Sequence, residues 1–228
     1  FKGNPLPKKN YMVEILNMRK AGVDEQGIYF KMFSLESFFT QLSLLTINAE
    51  NYEIRSTISE NKEFVRFDYS NKPTSKTKVT TGHYLVSTEN DAIDNFHLID
   101  QNDNGEYVVK KNVSYRTVYY EKDITFKKSE NTGKHYLDKA KIKARVEVLE
   151  AENKEGVYEI EYQYFTTGFE TKVKKNKVSV DKDIFKLKTP YNAEFWKTQN
   201  QIMLSKEMQS FLEVINSDST EFPVVTNF

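Results

Sequence analysis

The chain contains no cysteine. That single absence removes disulfide bonds, thiolate nucleophiles and cysteine-ligated zinc, while leaving the compartment open. No sign of charge is in excess either, because 33 Lys and Arg balance 33 Asp and Glu. A protein that follows a nucleic-acid backbone carries a basic surplus, so nucleic acid is excluded as a general partner. Lys172, Lys174, Lys175 and Lys177 form a local basic run, but acidic stretches flank it and it reads as a solvated sheet face. The eight glycines are scattered. They build no P-loop, no G-x-G-x-x-G and no G-x-S-x-G turn. No apolar run approaches the ~18 residues of a membrane helix. No signal peptide is legible, and a start at Phe1 reads as a processed or partial product.

Histidine is scarce as well. His83, His97 and His135 fall in separate expected strands or strand edges. They make neither an H-x-x-x-H pair nor an H-E-x-x-H helix, so they read as ordinary strand histidines. Carboxylates are plentiful, yet pairs such as Glu159 and Glu161 share one strand face. A glycosidase needs two carboxyl groups opposed across a cleft. With these groups set aside no catalytic residue and no cofactor remains, and the chain reads as non-enzymatic.

What the sequence does have is length, aromatics and alternation. At 228 residues a chain buries roughly 70% of its unfolded surface and folds without staples. Aromatic residues make up 14%, and charged residues 29%. Mean hydropathy is −0.67, so the outer surface is well solvated. The 14 Tyr and 16 Phe exceed what a core alone needs and suggest an aromatic contact surface.

Residues 1–33 read as an extended lead-in with Pro5 and Pro7. Residues 35–47 place Leu35, Phe38, Phe39, Leu42 and Leu45 at helical spacing, with Ser34 as N-cap. From Tyr52 to about Leu187 the period becomes two. Val65, Phe67 and Tyr69 alternate with Arg66 and Asp68. Val113, Tyr115, Thr117 and Tyr119 are expected on one face, opposite Ser114, Arg116 and Val118. Ala140, Ile142, Ala144, Val146 and Val148 alternate with Lys141, Lys143, Arg145 and Glu147. Each pattern sets an apolar face against a charged one. Turn residues at Asn71–Pro73, Asn104–Gly105, Asn131–Gly133 and Asn153–Gly156 imply hairpins and antiparallel neighbours. Near the end, Tyr191–Trp196 starts a short helix capped by Asn192. Residues 204–215 form a second, with Met208, Phe211, Leu212 and Ile215 on its apolar face. The expected fold class is α+β, mainly β: a curved antiparallel sheet packed with one or two helices. The expected division is an N-terminal segment and helix at 1–48, the β domain at 49–190, and a docked helical segment at 191–228.

Two short motifs are candidate sites. Asp100, Asn102 and Asn104, followed by Gly105, fit D-x-N-x-N-G, the first half of a calcium loop. The twelfth position holds Lys111 where a bidentate Glu is required, and Asn104–Gly105 also suits a type I′ hairpin turn. Ser219, in Asp218-Ser219-Thr220, fits a short acceptor pattern for O-glycosylation in Bacteroidota envelope proteins, and Asn112-Val113-Ser114 is an N-glycosylation sequon inside an expected strand.

Several segments together resemble the C-terminal region of Bacteroidota cell-envelope proteins named for a carboxypeptidase-like regulatory domain. They are Asn51–Ile54 through Phe67, Thr81-Gly82-His83-Tyr84-Leu85 through Ile93, Lys134-His135-Tyr136-Leu137 into Val148, and Tyr191-Asn192-Ala193-Glu194-Phe195-Trp196. The likeness spans about residues 48–215. Ser87 and Thr88 stand where the family has an aspartate, and the regulatory domain itself is not in the chain. The resemblance implies a LolA-like half-barrel in an exported protein of the periplasm or outer membrane. The function expected from it is non-catalytic contact with an envelope protein, as an accessory subunit of an assembly. The alternative is a carrier of lipid or another apolar ligand on the concave face. An open apolar cavity of several hundred Å³ would favour the carrier, and a filled core the contact domain.

Overall fold

The computed structural model of the protein describes residues 21–23, 45, 47–72, 78–110, 113–149, 155–167, 191–198, 206, 209, 210, 213 and 224–226. The chain divides into two compact units, Leu45–Phe169 and a second made of Phe1–Leu44 with Glu170–Phe228. The two chain ends belong to one unit. In that unit β1 (Ala21–Val23) pairs antiparallel with β10 (Val224–Thr226). It also holds α1 (Ala193–Thr198), which the Asn192 side chain caps by accepting from the Phe195 N–H at 3.1 Å, as expected from the sequence. Phe195 and Trp196 are half-buried and meet edge-on at 5.5 Å. Lys206, Gln209, Ser210 and Glu213 are helical and exposed, opposite the expected apolar stripe of 204–215. Residues 35–44, 172–177, Asn112, Phe211 and Ser219 lie outside the described residues.

The unit Leu45–Phe169 is one open antiparallel sheet. Its strands are β2 (Tyr52–Ile58), β3 (Phe64–Asn71), β4 (Val79–Ser87), β5 (Ile93–Gln101), β6 (Val108–Lys110), β7 (Val113–Lys128), β8 (His135–Leu149) and β9 (Glu155–Phe165). They lie in the order β2-β3-β4-β5-β7-β8-β9, and β6 continues the β5 side of β7. The mainly β, antiparallel class read from the sequence is what the chain adopts. Leu45 and Ile47, the end of the expected helix 35–47, carry no helix.

Alternation sets the core. Ala140, Ile142, Ala144, Val146 and Val148 are all buried, with 8% exposure or less. Their partners on β7 are Ile124, Lys122 and Tyr120, then Thr117 and Tyr115. The register jumps between Thr117 and Tyr119. Val118 is the extra residue, and it is buried. A bulge of this kind flips the parity of everything beyond it. Tyr119 therefore opposes Arg145 on the outer face, contrary to the single face expected for 113–119. Lys122, by the same flip, is turned inward.

The turns follow local chemistry. Gly133 closes the β7–β8 hairpin at φ +65°, and Lys62 and Asp91 take the left-handed position in the β2–β3 and β4–β5 turns. Asn104 and Gly105 are not a type I′ hairpin turn, which needs positive φ at both central residues; neither has it. The 102–107 stretch is instead an excursion between two strands on the same side of β7, and β6 pairs antiparallel with the start of β7.

Candidate functional site

The end of the sheet formed by β2, β3 and β4 carries an apolar pocket of about 320 Å³ on its inner face. Ile54, Phe67, Tyr69, Tyr84 and Ile93 line it from the strands. Leu45 and Ile47 line it from the preceding segment. That segment is tied down because the Tyr84 hydroxyl donates to the Leu45 carbonyl. Burial pushes the Tyr84 phenol up to about 12, so it remains a donor across the physiological range.

Tyr69 is the organising side chain. It lies across Gly82, its register partner on β4, and its hydroxyl donates to the His97 carbonyl of β5 at 2.8 Å. A Cβ at Gly82 would fall 2.3 Å from the Tyr69 hydroxyl and 2.1 Å from the His97 carbonyl oxygen. Only glycine leaves room for the ring. Tyr69 also packs edge-on against Tyr52 at 5.6 Å and against Tyr84 at 5.5 Å, while Tyr84 reaches Phe96 at 4.9 Å. Burial, and then the neighbouring Tyr84 and Tyr52, drive its phenol far above the ordinary range.

Deeper along the inner face runs a polar row. Thr80 donates to Asp100 Oδ1 at 2.5 Å, and Lys78 pairs with Asp100 Oδ2 at 2.8 Å. Next to this pair, Lys122 is 3% exposed, with its ammonium 5.0 Å from the centre of the Phe96 ring. Burial lowers its pKa to about 8, and the Asp100 charge opposes that fall. Burial likewise raises Tyr120 to about 12, helped by Asp100.

The outer face is charged and paired. His83 and His97 sit directly opposite each other on β4 and β5 with ring centres 5.2 Å apart. Arg66 lies 3.1 Å from His83 Nδ1, and His97 Nε2 lies 3.2 Å from Glu121. Burial first, then Arg66 and His97, hold His83 below the usual imidazole value. Burial alone would raise Glu121, but hydrogen bonds with His97 and Tyr119 and the nearby cations bring it below the ordinary carboxylate value. Glu159 and Glu161 share this face, as expected, and meet Arg145 at 3.0 Å and Lys143 at 3.4 Å.

The calcium-loop candidates are placed apart in role. Asp100 is still within β5 and uses both carboxylate oxygens on Thr80 and Lys78. Asn102 follows the strand, and its Oδ1 is buried with no hydrogen-bond partner. Its amide packs on Gly105, where a Cβ would come within 2.3 Å. Asn104 is exposed at the corner of the turn. Among the described residues no three His, Asp or Glu side chains converge to hold a metal. No described helix is long and apolar enough to cross a membrane.

The sequence reading missed three features: the inward Lys122, the His83–His97 contact and the pocket under Tyr84. The first needed the bulge at Val118. The second and third needed strand register. Comparison with known proteins finds no matching family model, no similar curated protein and no similar solved structure.

Proposed function

We propose that the chain is a non-catalytic binding domain of the cell envelope whose inner sheet face takes an apolar chain, such as the acyl tail of a lipid. The supporting observation is the pocket between Leu45 and Ile93, about 320 Å³ and almost wholly apolar in its lining. That volume lies within the range of small-molecule sites. The Tyr84 and Tyr69 hydroxyls are already engaged by carbonyls, so the cavity offers an entering chain hydrocarbon and ring faces. The envelope setting is supported by the strand segments around Gly82 and Tyr136 and by Tyr191–Trp196, which resemble envelope proteins of the Bacteroidota.

The test is saturable binding of a fluorescent long-chain fatty acid to the full chain, with Phe67→Glu as the variant. A buried carboxylate in the pocket should weaken binding by about tenfold or more. Far-UV circular dichroism checks that the variant folds. Absence of saturable binding, or equal binding by the variant, would overturn the reading. The second reading is contact with another envelope protein. Exposed apolar residues at one sheet edge favour it: Ile54 is 45% and Ile58 63% exposed. Its test is capture from native membranes with identification of the co-purifying protein.

A further inference from the structure

An open sheet has two edges, and here they differ. β9 is eleven residues long, and its outward face carries Glu159 and Glu161. A second β9 placed antiparallel about Ile160 would set Glu159 against Glu161, a like-charge contact. β2 is the other edge. It is seven residues long, and all of it except Tyr52 is exposed. Among the described residues no strand lies on its far side.

The backbone of β2 shows which groups point outward. The Ser59 N–H donates to the Phe64 carbonyl, and the Lys72 N–H donates to the Asn51 carbonyl. Odd-numbered residues therefore turn their amides toward β3, and Tyr52, Ile54, Ser56 and Ile58 turn theirs to the open edge. The same residues place their side chains on the inner face, because Ile54 opposes Tyr69 and Ser56 opposes Phe67. The edge has no proline, no glycine and no bulge. These are devices by which sheet edges avoid pairing.

We infer that β2 pairs antiparallel with β2 of a second copy, about a two-fold axis through Ile54. Charge complementarity selects both the occupant and the register. With the axis at Ile54, Glu53 lies opposite Arg55 of the second copy, and Arg55 lies opposite its Glu53. Ile54 meets Ile54 on the inner face, and the outward amides of Tyr52, Ile54 and Ser56 find carbonyl partners. An axis at Glu53 or at Arg55 would oppose like charges, and an axis at Ser56 leaves both charges without an opposite. The contact is self-complementary, as a two-fold interface requires.

Sedimentation equilibrium of the full chain, from about 1 to 500 µM, tests it. The expected result is a concentration-dependent monomer–dimer equilibrium. Arg55→Glu and Glu53→Arg each weaken self-association about tenfold or more. Mixed together, the two single variants form a heterodimer, because one edge is then wholly acidic and the other wholly basic. Ile54→Pro abolishes the dimer with little change in melting temperature, since the lost N–H points away from β3. A monomer across the whole range would overturn the inference. So would a dimer that tolerates Ile54→Pro, or one indifferent to the charge exchange.

Discussion

The two ends of the sheet are built differently. At one end β7, β8 and β9 run for 16, 15 and 11 residues, and β8 carries a buried row of small and branched side chains from Ala140 to Val148. At the other end β2 has seven residues, and the space above Phe67, Tyr69 and Tyr84 is filled only in part. A short, straight edge leaves apolar surface available. The buried core is thus concentrated at one end and the open apolar pocket at the other.

The largest expected effect separates the ends directly. Ile142→Ala removes a fully buried side chain and should cost about 2–5 kcal/mol. Ile54→Ala, at an exposed edge position, should cost less than about 1 kcal/mol. Urea unfolding of both variants makes the measurement, and equal losses would break the contrast.

Lys122 gives the next effect. Its pKa is about 8 in the fold, below the ~10.4 of an unfolded lysine. Between these values the unfolded state binds more protons, so stability rises with pH. The protein should gain roughly 1–3 kcal/mol between pH 7 and about pH 9.5, and Lys122→Met should remove that slope. Above about pH 10 the buried tyrosines act in the opposite sense, because the unfolded state loses their protons first. Unfolding curves at pH 7, 8 and 9 therefore give the clean comparison.

His83 gives the smallest effect. Its depressed pKa means that the unfolded state takes up a proton first as pH falls below about 6.5. Stability should decline below that pH, and His83→Gln should lessen the decline. The facing groups are His97, Arg66, Asp68 and Asn95. Melting temperatures from pH 7.5 to 5.5 check it. A variant that tracks the parent would place the acid response elsewhere.

The sequence was most legible where a pattern repeated without interruption. Five apolar residues alternating from Ala140 to Val148 can face the core in only one way, and they do. Asn192 was legible as a cap because its side chain acts on a backbone N–H three residues away. Tyr119 was misread because one inserted residue, Val118, reverses parity with no mark in composition. The partnership of His83 and His97 depends on a register fixed by the 88–91 turn and by the bulge at Asp94, and spacing alone does not encode it. The D-x-N-x-N-G letters were read as a loop from their first residue, yet Asp100 remains in its strand, held by Thr80 and Lys78.

Tyr69 has a mechanical consequence. Its ring is rooted in β3, crosses β4 where Gly82 leaves a gap, and fastens to the backbone of β5. It acts as a strut under three strands. A load that peels β2 away meets only one ladder, but a load on β3 must also break an attachment two strands distant. Unzipping from the β2 edge should therefore arrest after the first strand, so that β2 frays alone and β3, β4 and β5 yield together.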